Sequence, residues 1–159
     1  MSVVRKFHVT PRLAKLIKAP GGLYVPEALK RGAAAIEASR ESCLSEIDAA
    51  LAAMDALAAT PGFDPEVMYD QSARLIAFCG ACADDSLATA ARSLCELLDR
   101  AGEAGRRDDR GVKVHLASLR LLHRTEADPA TRKAILAGLA QVVDRYDRDA
   151  KTGAEPPPA

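Results

Sequence analysis

Residues 67–100 read VMYDQSARLIAFCGACADDSLATAARSLCELLDR and decide the fold. Apolar residues recur every three or four positions on both sides of the polar pair Asp84 and Asp85, with Met68, Leu75, Cys79 and Cys82 before it and Leu87, Ala91, Leu94 and Leu98 after it. That spacing places apolar side chains on one face of a helix. Because a short turn makes consecutive helices neighbours, the stretch predicts a helical hairpin inside a bundle.

Helix-start signals extend this architecture to the rest of the chain. A long helix is predicted from Pro26 to about Ala59. Asp64-Pro65 and Asp128-Pro129 each place a capping carboxylate before a proline at the first helical position. Alanine and leucine are abundant and aromatic residues make up only 4% of the chain, which also favours helix. We therefore expect an all-α fold, an antiparallel up-and-down bundle of four to five helices.

Two further apolar stripes predict which helix faces are buried. The stripe of the long helix comprises Leu29, Ala33, Ile36, Cys43, Ile47, Ala50, Met54 and Leu57, and that of the last helix comprises Ile135, Leu139, Val142 and Tyr146. The long stripe fits a bundle helix or a coiled-coil partner surface, so a homodimer is possible.

The charges are unevenly distributed along the chain. Lysine plus arginine and aspartate plus glutamate number 22 each, so no global field attracts nucleic acid or an anionic membrane. Before Glu27 there is no acidic residue, while the positive residues there are Arg5, Lys6, Arg12, Lys15 and Lys18. This predicts a basic leader over 1–24 that is partly ordered or docks, a helical domain over 25–150 and a disordered tail over 151–159.

The absence of two targeting signals predicts the cellular compartment. No apolar run approaches the roughly 18 residues that span a bilayer. The N-terminus also lacks the apolar centre of a secretory signal. We expect a cytoplasmic protein without a membrane span, in which the four cysteines are reduced.

The cysteines raise the question of a metal or redox centre. Cys79 and Cys82 form a CxxC within a predicted helix, so they share a face and could hold a metal or form a bridge. Both also lie on the apolar register with Leu75, and free cysteine is commonly buried. We interpret them as core residues and keep a metal- or redox-responsive bundle as an alternative.

His115 is the candidate phosphoacceptor, because it sits on a predicted bundle helix beside Val112, Leu116 and Leu119. A histidine that accepts phosphate must be exposed, and no acidic residue or lysine follows His115 closely, since the nearest charge downstream is Arg120. We interpret it as a packed histidine at the edge of the core and keep phosphotransfer as an alternative.

No other pattern points to catalysis. The chain has no glycine-rich phosphate loop, no HExxH, no GxSxG and no paired-carboxylate signature. We predict neither enzyme activity nor a cofactor. The glycine-containing loop at 101–110 is predicted to be mobile, and its Arg106, Arg107 and Arg110 join the basic leader as candidate partner-binding residues.

The opening stretch resembles the histidine phosphotransfer (HPt) domain. Ala73-Arg74-Leu75-Ile76-Ala77 stands where that family has its Ala-His-x-Leu-Lys motif, and Leu94-Cys95-Glu96-Leu97-Leu98-Asp99 is similar to its closing run. Arg74 occupies the histidine position and Ala77 the lysine position. The resemblance therefore implies a shared bundle pattern without its phosphoacceptor.

A second resemblance covers more of the chain. Pro20-Gly21-Gly22-Leu23, Glu27-Ala28-Leu29 and the run Val114-His115-Leu116-Ala117-Ser118-Leu119-Arg120-Leu121-Leu122 look like CheE-type proteins encoded among bacterial chemotaxis genes. The resemblance implies a non-catalytic cytoplasmic adaptor or modulator of chemotaxis or two-component signalling. Its expected partner is a response-regulator receiver domain or a histidine kinase.

Overall fold

The structure is a computed structural model that describes residues 21–82, 85–124 and 127–153, and the side chains of Ala81 and Cys82 lie outside that description. The described residues form five helices and no strand. The helices are α1 (Val25–Ala59), α2 (Pro65–Cys82), α3 (Asp85–Glu103), α4 (Asp109–Arg124) and α5 (Pro129–Thr152). The predicted all-α fold and the hairpin over 67–100 are confirmed.

The chain divides into two compact units, Met1–Ala35 and Ile36–Ala159. In the first unit, residues 21–35 are described, and every one of them is exposed. The second unit contains the hydrophobic core. The leader residues 1–20 lie outside the described part of the chain.

Side-chain caps begin three of the helices. Asp64 Oδ1 accepts a hydrogen bond from the Glu66 amide at 2.9 Å, and Asp128 Oδ1 accepts from the Ala130 amide at 2.9 Å. Asp108 Oδ1 likewise accepts from the Gly111 amide at 2.8 Å. Each carboxylate satisfies an amide that has no partner inside its helix. The predicted Asp-Pro helix starts are therefore confirmed.

Helix α3 is the central element of the second unit. It contacts α2, α4 and α5, while α4 also contacts α5. Its buried residues are Leu87, Ala88, Ala90, Ala91, Leu94, Cys95, Leu97 and Leu98. Alternation of alanine with leucine lets neighbouring helices approach closely while large side chains fill the space between them.

The part of α1 that belongs to the second unit packs against α2 and α4. Its buried side chains are Ile47, Ala50, Leu51 and Met54. Ion pairs flank this face, with Glu46 bound to Arg74 of α2, Asp55 bound to Arg120 of α4 and Asp48 bound to His123 of α4. These pairs join α1 to both of its neighbours.

Cross-helix contacts show that successive helices run antiparallel. Ser72 of α2 donates to the Ala91 carbonyl of α3 at 3.0 Å, and Ser93 of α3 bonds His115 of α4 at 3.0 Å. Arg110 and Val114, near the start of α4, and Val142 and Arg145, in the second half of α5, line one groove between the two helices. The predicted up-and-down order of the bundle is thus confirmed.

Three details differ from the sequence-based expectation. Leu29 and Ile36, predicted on the buried stripe of the long helix, are 69% and 55% exposed. In α5 the buried residues are Leu139, Val143 and Tyr146, whereas Val142 is only half-buried. The buried stripe therefore contains Val143 in place of the predicted Val142. Helix α5 also continues to Thr152, into the predicted tail, where Gly153 ends it at a φ of 66°. Residues 154–159 lie outside the description.

Candidate functional site

An exposed apolar surface lies at the start of α1, within the first unit. It consists of Leu23, Tyr24, Val25 and Leu29, and we call it the N-terminal apolar surface. Tyr24 is 86% exposed and Leu29 is 69% exposed. Four large apolar side chains within seven positions are typical of a surface that binds another molecule.

These residues were not predicted as a binding site. Leu23 and Tyr24 belong to the predicted leader, and Leu29 was predicted on a buried stripe. The available signal was the run Leu23-Tyr24-Val25 directly before Pro26, since three consecutive large apolar residues at a helix start exceed what one helix face can bury.

His115 is fully buried in the core, with 0% of its surface exposed. Its Nδ1 lies 2.8 Å from the Gly111 carbonyl oxygen, so Nδ1 carries the proton and donates. Nε2 lies 3.0 Å from Ser93 Oγ and therefore accepts from that hydroxyl. Burial lowers the pKa of His115, which keeps the ring neutral.

This geometry gives His115 a packing role inside the bundle rather than at its edge. Phosphotransfer requires an exposed ring nitrogen, and both ring nitrogens of His115 are enclosed and hydrogen-bonded. His123, near the end of α4, contacts Asp48 of α1 at 2.9 Å and joins the two helices. The arrangement does not favour a phosphoacceptor among these two residues.

The cysteines are distributed through the packing of the second unit. Cys79 and Cys95 are buried and Cys43 is half-buried. Burial raises the pKa of the Cys95 thiol, while a hydrogen bond with Ser72 acts in the opposite direction. A raised pKa leaves little thiolate at neutral pH, and thiolate is the reactive form.

Cys79 belongs to the hydrophobic core, as its apolar register predicted. Cys82 ends α2, and its side chain lies outside the description, so the CxxC geometry is not defined. Within the described ranges, no three His, Cys, Asp or Glu side chains come together in a way that could hold a metal ion.

The predicted partner-binding arginines of the 101–110 segment divide into two groups. Arg106 donates to the Asp149 carbonyl at 3.1 Å, and Arg107 donates to the Phe63 carbonyl at 2.7 Å. Arg110 is exposed and makes no ion pair in the described part of the chain. Arg106 and Arg107 therefore make contacts within the chain, whereas we predicted that their side chains would be available to a partner.

These contacts also limit the freedom predicted for the segment. Helix α3 continues to Glu103 and α4 begins at Asp109, so only 104–108 connect them. The Tyr146 hydroxyl donates to the Arg106 carbonyl at 2.6 Å, and the Arg107 guanidinium lies 4.4 Å from the centre of the Phe63 ring. The connection is attached both to α5 and to the turn before α2.

The remaining predicted partner-binding residues, Arg5, Lys6, Arg12, Lys15 and Lys18, lie outside the described residues. The described bundle instead shows an open acidic groove between α2 and α3. Its carboxylates are those of Glu66, Asp70, Asp99 and Glu103. The charge of Asp99 is the main cause that raises the pKa of Tyr69 in this groove.

Comparison of the chain with protein-family models, with curated proteins and with solved structures finds no match in any of the three. The resemblances to CheE-type proteins and to HPt domains therefore stay predictions from the residues that carry them. Among the described helices, none has the length and apolar character needed to cross a bilayer.

Proposed function

We propose that this protein is a non-catalytic adaptor that binds another protein through the N-terminal apolar surface, in cytoplasmic bacterial signalling of the chemotaxis or two-component type. The observation that carries the binding role is the exposure of Leu23, Tyr24, Val25 and Leu29 together. The signalling context rests on the CheE-type resemblance.

A partner bound at this surface would stabilise the start of α1. Every residue from 21 to 40 is exposed, so this part of α1 buries no side chain within the described part of the chain. Most helices in proteins are stabilised by burial of an apolar face. A partner that covered Tyr24 and Leu29 would supply that burial, and tyrosine is among the residues that most often dominate protein interfaces.

The leader predicts the chemistry of the partner. Five positive residues and no acidic ones precede Glu27 in the sequence, and all five come before the first residue of the N-terminal apolar surface. A suitable partner would present an apolar groove beside acidic residues. The charges would mainly accelerate association and make it depend on salt. The family resemblance makes a receiver domain and a histidine kinase the first partners to test.

The test is calorimetric titration of the full chain with a purified receiver domain and, separately, with a histidine kinase from the same chemotaxis gene cluster. We expect the double variant Tyr24→Ser, Leu29→Ser to lose at least about tenfold in affinity, because each buried apolar side chain contributes more than the 1.4 kcal/mol that corresponds to tenfold. The matched control is Leu121→Ser on α4, where Leu121 is 47% exposed.

Equal losses in the control and in the double variant would contradict a specific role for the N-terminal apolar surface. Absence of binding to both proteins would contradict the signalling assignment. Sedimentation velocity of the chain alone addresses the homodimer: self-association that disappears in the double variant would assign the surface to a second copy instead of an adaptor partner.

The contribution of the leader's positive charges to binding is tested separately. Replacing Lys15 and Lys18 by glutamine should weaken binding at low salt and have little effect at high salt, since salt screens exposed charges. A salt-independent effect would instead indicate that the two residues act through packing.

A further inference from the structure

A groove between α4 and α5 brings together three arginines from two parts of the fold. Arg106 precedes α4, Arg110 lies in the first turn of α4, and Arg145 lies in the second half of α5. We call it the α4–α5 groove, and its volume is about 190 Å³. An apolar cavity of about 150 Å³ is large enough to bind benzene. Because Val114 and Val142 also line the groove, it combines positive charge with an apolar wall at the size of a small organic molecule.

The guanidinium of Arg106 is held in place by two other residues that line this groove. Its Nη1 donates to the Asp149 carbonyl at 3.1 Å, and its centre lies 5.5 Å from the centre of the Tyr146 ring. The buried Nε has no acceptor, and Nη2 donates to no acceptor within the described part of the chain. Because these contacts already fix the side chain, it loses little conformational freedom when Nη2 binds a ligand.

The positive charge that lines the groove exceeds the negative charge by one. The carboxylates that oppose the three arginines are those of Asp108 and Asp149. Asp149 lies 3.5 Å from the Nε of Arg145, and the Asp108 carboxylate caps the start of α4. Arg106 and Arg110 form no ion pair with any residue that the structure describes. These two guanidinium groups are therefore the cations left for a ligand.

We propose that the α4–α5 groove binds a small monocarboxylate with a compact apolar body of about one ring. The carboxylate accepts hydrogen bonds from Arg106 and Arg110, whose planar guanidinium groups match its two oxygens. Val114 and Val142 contact the apolar body. A dianion such as phosphate carries more charge than the lining neutralises and is repelled by the two aspartates, so the groove favours a single negative charge. This ligand site is independent of the adaptor function, because none of its residues belongs to the N-terminal apolar surface.

The test is titration of the full chain with benzoate, followed by amide chemical shifts in a two-dimensional NMR spectrum. Saturable shifts are expected around Arg110, Val114 and Val142. Benzyl alcohol keeps the ring without the charge, and acetate keeps the charge without the ring. Each should bind about tenfold more weakly than benzoate, since each lacks one of the two contributions. Inorganic phosphate should also bind more weakly than benzoate.

Three results of these titrations would overturn the proposal. The first is the absence of saturable benzoate shifts, or their location only elsewhere in the chain. The second is equal affinity for benzoate and benzyl alcohol, which would exclude recognition of the anion. The third is tighter binding of phosphate than of benzoate, which would exclude selection of a single negative charge.

A matched pair of arginine variants tests the charge. Arg110 and Arg148 are both exposed, but only Arg110 lines the groove. Arg110→Gln should lower the affinity for benzoate about tenfold and leave that for benzyl alcohol unchanged, because a charge-assisted hydrogen bond is lost. Arg148→Gln should change neither affinity. Equal losses of benzoate affinity in the two variants would show a response to overall charge and would refute the groove as the site.

A second matched pair tests the apolar wall. Val114 and Leu121 lie on α4 and are 40% and 47% exposed, but only Val114 lines the groove. Val114→Ser should weaken benzoate and benzyl alcohol by roughly threefold and leave acetate unchanged, since it removes apolar contact area alone. Leu121→Ser should leave all three unchanged. Unaltered benzoate affinity in Val114→Ser would contradict the position of the ring in the groove.

Discussion

Leu29 and Met54 were predicted on one apolar stripe of the same helix, yet Leu29 is 69% exposed and Met54 is fully buried. The difference arises from the neighbours of each residue. Around Met54, ion pairs from α2 and α4 to Glu46 and Asp55 show that both helices lie against α1. Periodicity therefore predicts which face of a helix is suited to burial, whereas other elements or partners determine whether that face is buried.

The strongest test of this comparison is a pair of alanine variants. Met54→Ala should lower the free energy of unfolding by about 2–5 kcal/mol, because it removes buried groups and leaves a cavity. Leu29→Ala should change it by no more than about 0.5 kcal/mol, as at an exposed site. Urea unfolding followed by circular dichroism measures both. A large loss in Leu29→Ala would mean that this residue is covered in solution.

A buried polar group, His115, should also contribute to stability, as the buried Met54 does. His115→Gln should cost about 1–3 kcal/mol of stability, because Ser93 Oγ and the Gly111 carbonyl lose well-placed partners. The measurement is again urea unfolding, at pH 7.

The neutral state of the buried His115 ring also predicts how the stability of the protein depends on pH. Burial lowers the pKa of His115 in the folded chain below its usual value of about 6.5. Below pH ~6.5 the unfolded chain binds a proton that the folded chain does not, so stability should fall as the pH falls through that value. His115→Gln should remove this contribution and His123→Gln should retain it. An identical pH profile in the wild type and His115→Gln would contradict the buried, neutral state.

Two glycines contrast a crowded position with an open one. An added Cβ at Gly111 would lie 2.8 Å from Leu97 Cδ2 and would also displace the Asp108 cap, whereas at Gly32 nothing lies within 4 Å. Gly111→Ala should cost about 1–3 kcal/mol through overpacking. Gly32→Ala should stabilise its helical segment by up to about 1 kcal/mol, since alanine favours helix. Amide hydrogen exchange around Gly32 measures the gain, and reduced protection there would contradict it.

The smallest expected contrast is between two arginines. Arg107→Ala loses a hydrogen bond to the Phe63 carbonyl and the contact with its ring, which together should cost about 1–2 kcal/mol. Arg110→Ala should change stability by less than about 0.5 kcal/mol, because Arg110 is exposed. Thermal unfolding of both variants tests the pair. Equal effects would show that the Arg107 contacts contribute nothing to the folded state.

The sequence was sufficient for those features that depend on local chemistry. Asp64-Pro65 and Asp128-Pro129 specify helix starts through capping and proline geometry, so both positions were predicted correctly. The hairpin over 67–100 followed from its apolar spacing. Apolar spacing did not determine which valine of α5 is buried, because Val142 and Val143 are adjacent apolar residues. Only the packing of α5 against α3 and α4 distinguishes them.

The candidate site was less predictable, for a physical reason. Arg106, Arg107 and Arg110 look alike in a charged, glycine-containing segment, but two of them reach carbonyl groups 43 and 44 positions away. Spacing along the chain does not encode such long-range contacts. The exposure of Tyr24 likewise depends on what other parts of the chain leave uncovered, although the apolar run that contains it was visible in the sequence.

The ion pairs that hold α1 against α4 have a consequence for how the chain folds. Asp55 and Arg120 are 65 positions apart, and Asp48 and His123 are 75 apart. Helices α2 and α3, by contrast, are joined by only residues 83–84. Closing a short loop costs less entropy than closing a long one, so we expect the α2–α3 hairpin to form before the contacts between α1 and α4. In stopped-flow experiments, Met54→Ala should then mainly accelerate unfolding and Leu94→Ala should mainly slow folding.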